Sequence, residues 1–267
     1  MCSSDLVSLY HTPYVVCIFL GFKKLDKYGE ASYNKFNAPS GAPYIRAEGL
    51  ILMKTYKAIL FDMDGTVLDT LNGLTNSLAV VWKRHNLPIL SSGDVRLCLG
   101  YGYDGLIARA APHLSIAEQA ELTEEFKNHY STHCQNGTAP YAGIRQALDG
   151  LKSKGYKTAI VSNKGQAAVT VLHDLYFRGL AAFSLGATDA VPKKPQPQML
   201  YTALKRLGCT PDEAVYVGDS EVDKITADNA GLDSLLVTWG FRDAAFLQVL
   251  HPTYLIHDVA ELSRIFP

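Results

Sequence analysis

The chain has 267 residues, 48% of them apolar, with 15 Tyr, 10 Phe and 2 Trp, enough for one large hydrophobic core with room for an insert. Its 25 basic against 26 acidic residues leave a net charge of -1, which removes the electrostatic case for nucleic acid or an anionic membrane as partner. The five cysteines (Cys2, Cys17, Cys98, Cys134 and Cys209) are scattered with no CxxC pair, which fits a reducing, cytoplasmic setting and speaks against a zinc site or disulfide scaffold.

Residues 1–52 carry no clean helical or strand period, and Ala38-Pro39-Ser40-Gly41-Ala42-Pro43 is a breaker cluster. Tyr14 to Phe22 is the most apolar part, but it is too short to span a membrane and lacks the flanks of a signal peptide. Met53 stands just before the first strand. The segment 1–52 is therefore expected to be an N-terminal extension, disordered or an artefact of gene calling, with Met53 as the start.

Tyr56-Lys57-Ala58-Ile59-Leu60-Phe61 reads as a buried strand that ends in Asp62-Met63-Asp64-Gly65-Thr66. Two carboxylates one residue apart thus emerge at the carboxyl end of a strand, the edge of an open α/β sheet where ligands usually bind. From Thr70 to about Ala139 the period becomes helical, with Leu74, Leu78, Val81 and Trp82 at three- and four-residue spacing. Ile116, Ala120 and Leu122 to Phe126 repeat that pattern, and Leu99 to Tyr103 forms a glycine-broken loop between the two stretches. Pro140-Tyr141-Ala142-Gly143 closes the helical block with a turn.

Strands and helices then alternate. Thr158–Val161, Ala181–Leu185, Ala214–Val217, Ser234–Val237 and Tyr254–Ile256 read as strands, with helices at Ala167–Leu175 and at Met199–Leu207, the latter ended by Gly208. This order predicts an α/β fold with a doubly wound parallel sheet, a Rossmann-like core from 53–70 and 140–267. The block 71–139, lying between the first strand and the rest, is predicted to be an inserted α-helical cap domain.

Three later strand ends carry polar groups to set beside the acid pair. Ser162-Asn163-Lys164 offers a hydroxyl and amides for phosphate oxygens, although Ser162 or Asn163 would serve equally to cap the next helix. Lys193-Lys194-Pro195-Gln196-Pro197 supplies a point charge for an anion, or else a solvated loop stiffened by prolines. Gly218-Asp219-Ser220-Glu221-Val222-Asp223 gives hard oxygens suited to Mg²⁺, or a helix cap and a surface acid. Each motif alone is ambiguous, but the four occur in order at successive strand ends.

This ordered set resembles the haloacid dehalogenase-like hydrolase superfamily over residues 54–267. The resemblance implies a phosphatase in which Asp62 is the nucleophile and Asp64 the acid/base. It implies Mg²⁺ held by the Asp62 carboxylate, the Asp64 carbonyl and the Asp219 carboxylate. Ser162, Asn163 and Lys194 would bind phosphate, Asp223 would be a supporting acid that orients metal waters or Lys194, and Thr66 would have a supporting place. Asp64 argues against haloacid dehalogenation itself, which needs no second acid. The helical insert, Gly100-x-Gly102 with Leu106 and Arg109, and Val237-Thr238-Trp239-Gly240-Phe241-Arg242 resemble the phosphoglycolate phosphatase branch. Ala142 and Gln196 depart from that branch, where proline and an acid are common.

Tyr101 and Arg109 become cap candidates for substrate contact; the other readings are a surface or salt-bridge residue for Arg109 and packing between cap and core for Tyr101 and Tyr103. The substrate expected is a small phosphorylated metabolite, 2-phosphoglycolate or a similar ester. A β-phosphoglucomutase-like phosphotransferase, a pyrophosphatase or nucleotidase, and an inactive scaffold that only binds remain alternatives. The oligomeric state stays open between monomer and dimer.

Overall fold

The computed structural model describes residues 54–267 in full and, upstream of them, only the backbone of two antiparallel strand pairs, Lys24–Leu25 with Ala31–Ser32 and Tyr44–Ala47 with Leu50–Met53. The expectations for 1–52 otherwise lie outside the described residues. Thr55–Pro267 forms one compact unit.

Six parallel strands make its sheet: β1 (Ala58–Phe61), β2 (Lys157–Gly165), β3 (Ser184–Ala187), β4 (Ala214–Gly218), β5 (Asp233–Val237) and β6 (Tyr254–Ile256), in the order β6-β5-β4-β1-β2-β3. The chain leaves β1 toward β2 on one side and returns to β4 on the other. β1 is thus the topological switch point, and a crevice opens past the carboxyl ends of β1, β2 and β4. All four residues of β1 are buried, so it reads as a continuous apolar run. Ile59 and Phe61 pack into one core cluster and Ala58 and Leu60 into the other, as the two-residue period of a strand requires. The expected doubly wound α/β sheet is what the chain forms.

Between β1 and β2 come four helices, α1 (Leu71–Arg84), α2 (Ser92–Cys98), α3 (Gly102–Ala110) and α4 (Ile116–His133), then α5 (Ile144–Ser153). Ser115 caps α4: its Oγ accepts the Glu118 N–H at 3.3 Å, while the Glu118 carboxylate accepts the Ser115 N–H at 2.8 Å. Leu74, Leu78, Val81 and Trp82 of α1 and Phe126 and Tyr130 of α4 are buried together with Ile59 and Phe61 in a single apolar cluster. The helical block therefore shares its core with one face of the sheet. Leu68–Asp69 and Ala139–Pro140, the segments on either side of the block, pair as a two-residue antiparallel ribbon.

The remaining helices, α6 (Gln166–Tyr176), α7 (Gln198–Leu207), α8 (Glu221–Ala230), α9 (Ala244–Gln248) and α10 (Leu262–Ile265), cover the sheet. Gly208 ends α7 in the left-handed conformation at φ 65°, as its place after the last apolar residue predicts. Two expectations shift. β2 runs on through Gly165 by way of a register break after Val161, and β3 begins at Ser184 rather than Ala181. Among the described residues no helix is long and apolar enough to cross a membrane.

Candidate active site

The acid pair sits where β1 runs out. Asp62 still extends the ladder, its N–H donating to the Val217 carbonyl at 2.8 Å. The chain then folds into a tight turn in which Met63 O accepts from Val67 and Leu68, and Gly65 adopts φ 82°. A Cβ on Gly65 would stand 2.2 Å from Asp219 Oδ2, so glycine alone lets this turn press against the acid at the end of β4.

Four strand ends converge here. Lys194, in the loop after β3, places its Nζ 2.8 Å from Asp62 Oδ1 and 2.8 Å from Asp223 Oδ1. Tyr216 Oη lies 2.8 Å from the same ammonium, 3.0 Å from the Val161 carbonyl and 3.2 Å from Asp223 Oδ1; its single proton serves one of the two acceptors at a time. Asp223 Oδ2 accepts from the Asp219 and Ser220 N–H groups at 3.2 and 3.1 Å and from Ser220 Oγ at 2.7 Å. Asp223 is thus no surface acid. It is buried at the start of α8 and fixes Lys194 from below.

Burial is the leading influence on the charges. It pushes the Asp62 carboxyl up to about 7, against the opposing pull of Lys194 and with added repulsion from Asp223 and Asp64. Asp219 is raised well above the usual carboxylate range by burial and by repulsion from Asp223 and Asp62. Burial would lower Lys194, but Asp223 and Asp62 more than offset this, and its ammonium is held well above the ordinary value.

Asp62, Asp219 and Asp223 bring carboxylate oxygens within 4.8 Å of one another. Asp223 has both oxygens engaged by donors, so the pair left for a cation is Asp62 and Asp219. Asp219 Oδ2 accepts the Phe241 N–H, whereas Oδ1 has only the Thr66 hydroxyl, at 3.4 Å. Buried hard oxygens that repel one another in this way fit Mg²⁺.

A cavity of about 30 Å³ lies over these groups. Its floor is Asp62, Asp64, Ser162, Asn163, Lys164 and Lys194. Its roof, from the helical block, is Leu74, Leu99, Gly100, Gly102, Tyr103 and Leu106.

Three of the expected site residues make other contacts. The Asn163 side chain is already spent: Nδ2 donates to the Gly100 and Lys194 carbonyls at 3.1 and 2.9 Å, and Oδ1 accepts the Lys194 N–H at 2.8 Å. It clips the Lys194 loop and the roof in place and has no donor left for phosphate. Tyr101 and Arg109 are not part of the cavity wall. The guanidinium of Arg109 stacks 3.8 Å from the Tyr101 ring, and Tyr101 donates to Glu221 at 3.0 Å. Both belong to the seam between the helical block and the sheet. Arg242 grips the same seam, donating to the Leu99 carbonyl at 2.9 Å and to Glu221 at 2.7 Å.

Lys164 closes the Ser162-Asn163-Lys164 motif, but the sequence alone assigns it no role. Its side chain is fully buried, with Nζ 3.1 Å from Asp64 Oδ1 and 2.8 Å from the Tyr130 hydroxyl of α4. The signal for it was a lone cation closing an otherwise apolar and small-polar strand, where a solvated residue has no place.

The family model for haloacid dehalogenase-like hydrolases matches residues 59–237. A phosphoglycolate phosphatase of Xanthomonas campestris pv. campestris is 30% identical over 191 residues, 71% of this chain and 86% of that protein. Another phosphoglycolate phosphatase, from Caulobacter vibrioides, is 32% identical over 213 residues, covering 77% of this chain and 89% of its own. A solved phosphoglycolate phosphatase candidate from Lactobacillus delbrueckii subsp. bulgaricus superposes with a TM-score of 0.75 at 33% identity, over 79% of this chain and 98% of the other. A family match that spans the acid pair, the helical block and the end of β5, over a fold with the same strand ends, makes the chain a member of the haloacid dehalogenase-like hydrolase family, on the branch that resembles phosphoglycolate phosphatases.

Proposed function

We propose that this protein is a Mg²⁺-dependent phosphomonoesterase that works through an aspartyl-phosphate on Asp62, with 2-phosphoglycolate or a similar small ester as substrate. The observation that carries the reading is the pairing of a buried nucleophile with a buried cation, Asp62 with Lys194 at 2.8 Å, beside a second acid, Asp64, that faces the cavity.

Asp62 attacks phosphorus in line, and Asp64 gives its proton to the departing alkoxide. Asp64 then takes a proton from the water that cleaves the acyl phosphate, so one carboxyl serves as acid and then as base. Lys194 and the Ser162 hydroxyl balance charge on the phosphoryl oxygens as it is transferred. Asp62 and Asp219, with the Asp64 carbonyl, would hold the Mg²⁺. The ion supplies further positive charge, which eases the approach of one anion to another. Thr66 orients Asp219, and Asp223 with Asn163 positions Lys194.

A cavity of about 30 Å³ has room for a water or two, not for an organic phosphate. The helical block 71–139 therefore acts as a cap that lifts to admit substrate and closes to exclude water.

The test is steady-state turnover on 2-phosphoglycolate, pyrophosphate, glucose 1-phosphate and nucleotides, in the parent and in Asp62→Asn. Phosphoglycolate should be preferred in the parent, and all turnover should vanish in the folded variant. Residual activity in Asp62→Asn removes the nucleophile assignment. A preference for glucose 1-phosphate replaces the substrate.

A further inference from the structure

The floor of the cavity holds two lysines that are not equivalent. Lys194 is matched by Asp223, which takes no part in the proposed chemistry, and by Asp62. Lys164 has one carboxylate neighbour, Asp64, at 3.1 Å, and one hydroxyl, Tyr130, at 2.8 Å. An ammonium carries three donors; Nζ also lies 4.2 Å from the centroid of the Tyr130 ring, and no oxygen takes the third donor. Lys194 stands on the side of the nucleophile. Lys164 stands on the side of Asp64, where the leaving group must depart if Asp64 protonates it.

The roof completes the description of that side. Leu74, Leu99 and Leu106 offer no hydrogen bond, and a polyhydroxylated leaving group would lose its water there without replacement. The roof's side-chain hydroxyl is that of Tyr103, which is buried and has no hydrogen-bond partner of normal geometry. Its ring packs edge-on against Phe126 and Tyr130, at 5.3 and 5.9 Å between centroids, so the hydroxyl is held in place beside the Lys164–Tyr130 pair. A fixed ammonium with a third donor that no oxygen takes and a fixed hydroxyl with no acceptor, beneath an otherwise apolar roof, form a receptor for one compact anion.

We infer that Lys164 and Tyr103 form a leaving-group subsite that selects phosphate esters whose alcohol carries a carboxylate. The inference rests on the proposed phosphatase reading and deepens it. On binding, the substrate carboxylate takes the donors of Lys164 and Tyr103. Lys164 then shares its charge between that carboxylate and Asp64, and no group on the protein changes its covalent state.

The experiment compares 2-phosphoglycolate with its neutral amide, which has nearly the same shape without the charge. The ratio of kcat/KM for the acid over the amide is read in the parent, Lys164→Met and Tyr103→Phe. A ratio cancels any loss common to both esters, such as a disturbed Asp64. It should favour the acid strongly in the parent, fall by about 30-fold in Lys164→Met and by about fivefold in Tyr103→Phe. A ratio that stays within about threefold of the parent in Lys164→Met overturns the subsite.

A measurement without variants stands beside it in case Lys164→Met does not fold. With p-nitrophenyl phosphate as substrate of the parent enzyme, 3-phosphonopropionate should inhibit about tenfold or more tightly than propylphosphonate. Equal inhibition overturns the subsite as well. If the parent hydrolyses both esters equally, only the subsite falls. If it hydrolyses neither these nor p-nitrophenyl phosphate, the phosphatase reading itself falls.

Discussion

The floor and the roof of the cavity are built on opposite principles. Below, charged and polar groups are buried together and almost every donor has an assigned acceptor: Asp223 alone engages Lys194, Ser220 and the Asp219 N–H. Above, the wall is leucine, glycine and one tyrosine, held to the sheet by contacts at its rim such as Arg242 with Leu99 and Asn163 with Gly100. A buried polar network tolerates little change, because removing one member strands the others. An apolar wall tolerates substitution as long as volume is kept. On the proposed reading the chemistry belongs to the strand ends, and the choice of substrate to the helical block and the one lysine that reaches toward it.

The largest effect should come from breaking the floor. Asp223→Asn removes the dedicated counter-charge of Lys194 and should cost about 3–5 kcal/mol in urea unfolding, with turnover falling in the remaining folded protein. A variant as stable as the parent would show that the floor is less tightly interlocked than its geometry indicates.

A smaller effect follows from the raised carboxyls. Asp62 titrates at about 7 in the fold, against about 4 in the unfolded chain. Between those values the folded protein holds the extra proton, so metal-free stability falls as pH rises through that window and levels off above it. Asp219 shifts in the same direction. Mg²⁺ should therefore restore more of the melting temperature at pH 8 than at pH 5. A metal-free melting temperature that does not drop between those two values contradicts the burial of uncompensated acids.

The smallest effect belongs to the rim. Arg109→Ala removes a stacking contact worth about 0.5–1 kcal/mol and should leave the KM for 2-phosphoglycolate within about threefold. A KM rise of about tenfold or more would move Arg109 from the seam to the substrate and blur the division between roof and rim.

Legibility in the sequence followed the same division. Asp62, Ser162 and Asp219 announce themselves because each follows an apolar run, and a strand's period needs only local residues to be read; Asp64 is found by its spacing from Asp62 and Lys194 by its proline-flanked loop after β3. The helices of the insert were legible from their spacing and Gly208 from its place after Leu207. The Leu68–Asp69 ribbon was not, since two residues carry no period and their partners Pro140 and Ala139 lie 72 and 70 positions away by register. The extension of β2 through Ser162 to Gly165 was hidden by its polar residues, which read as a strand end. The resemblance gives Asp223 the task of orienting metal waters or Lys194, and in the fold it lies 2.8 Å from the Lys194 ammonium; that the Asn163 side chain holds the Lys194 loop depends on long-range contacts no spacing reveals. Lys164 escaped for the same reason: its meaning lies in Tyr130 and Asp64, on two other elements.

The ribbon has a consequence of a different kind. Because Leu68–Asp69 pairs with Ala139–Pro140, the chain enters and leaves the helical block side by side. The join is tight: a Cβ on Gly73 would stand 2.6 Å from the Asn136 carbonyl. Segments whose two ends meet at one spot on a scaffold can be exchanged with little disturbance to it. The block is joined through a narrow stem, although its apolar residues also share a core with one face of the sheet, so an exchange has to keep that packing. Transplanting residues 71–138 between relatives that share a lysine at the Lys164 position should carry over the part of substrate preference set by the roof, while Lys164 and the acid end of the sheet stay behind with the scaffold.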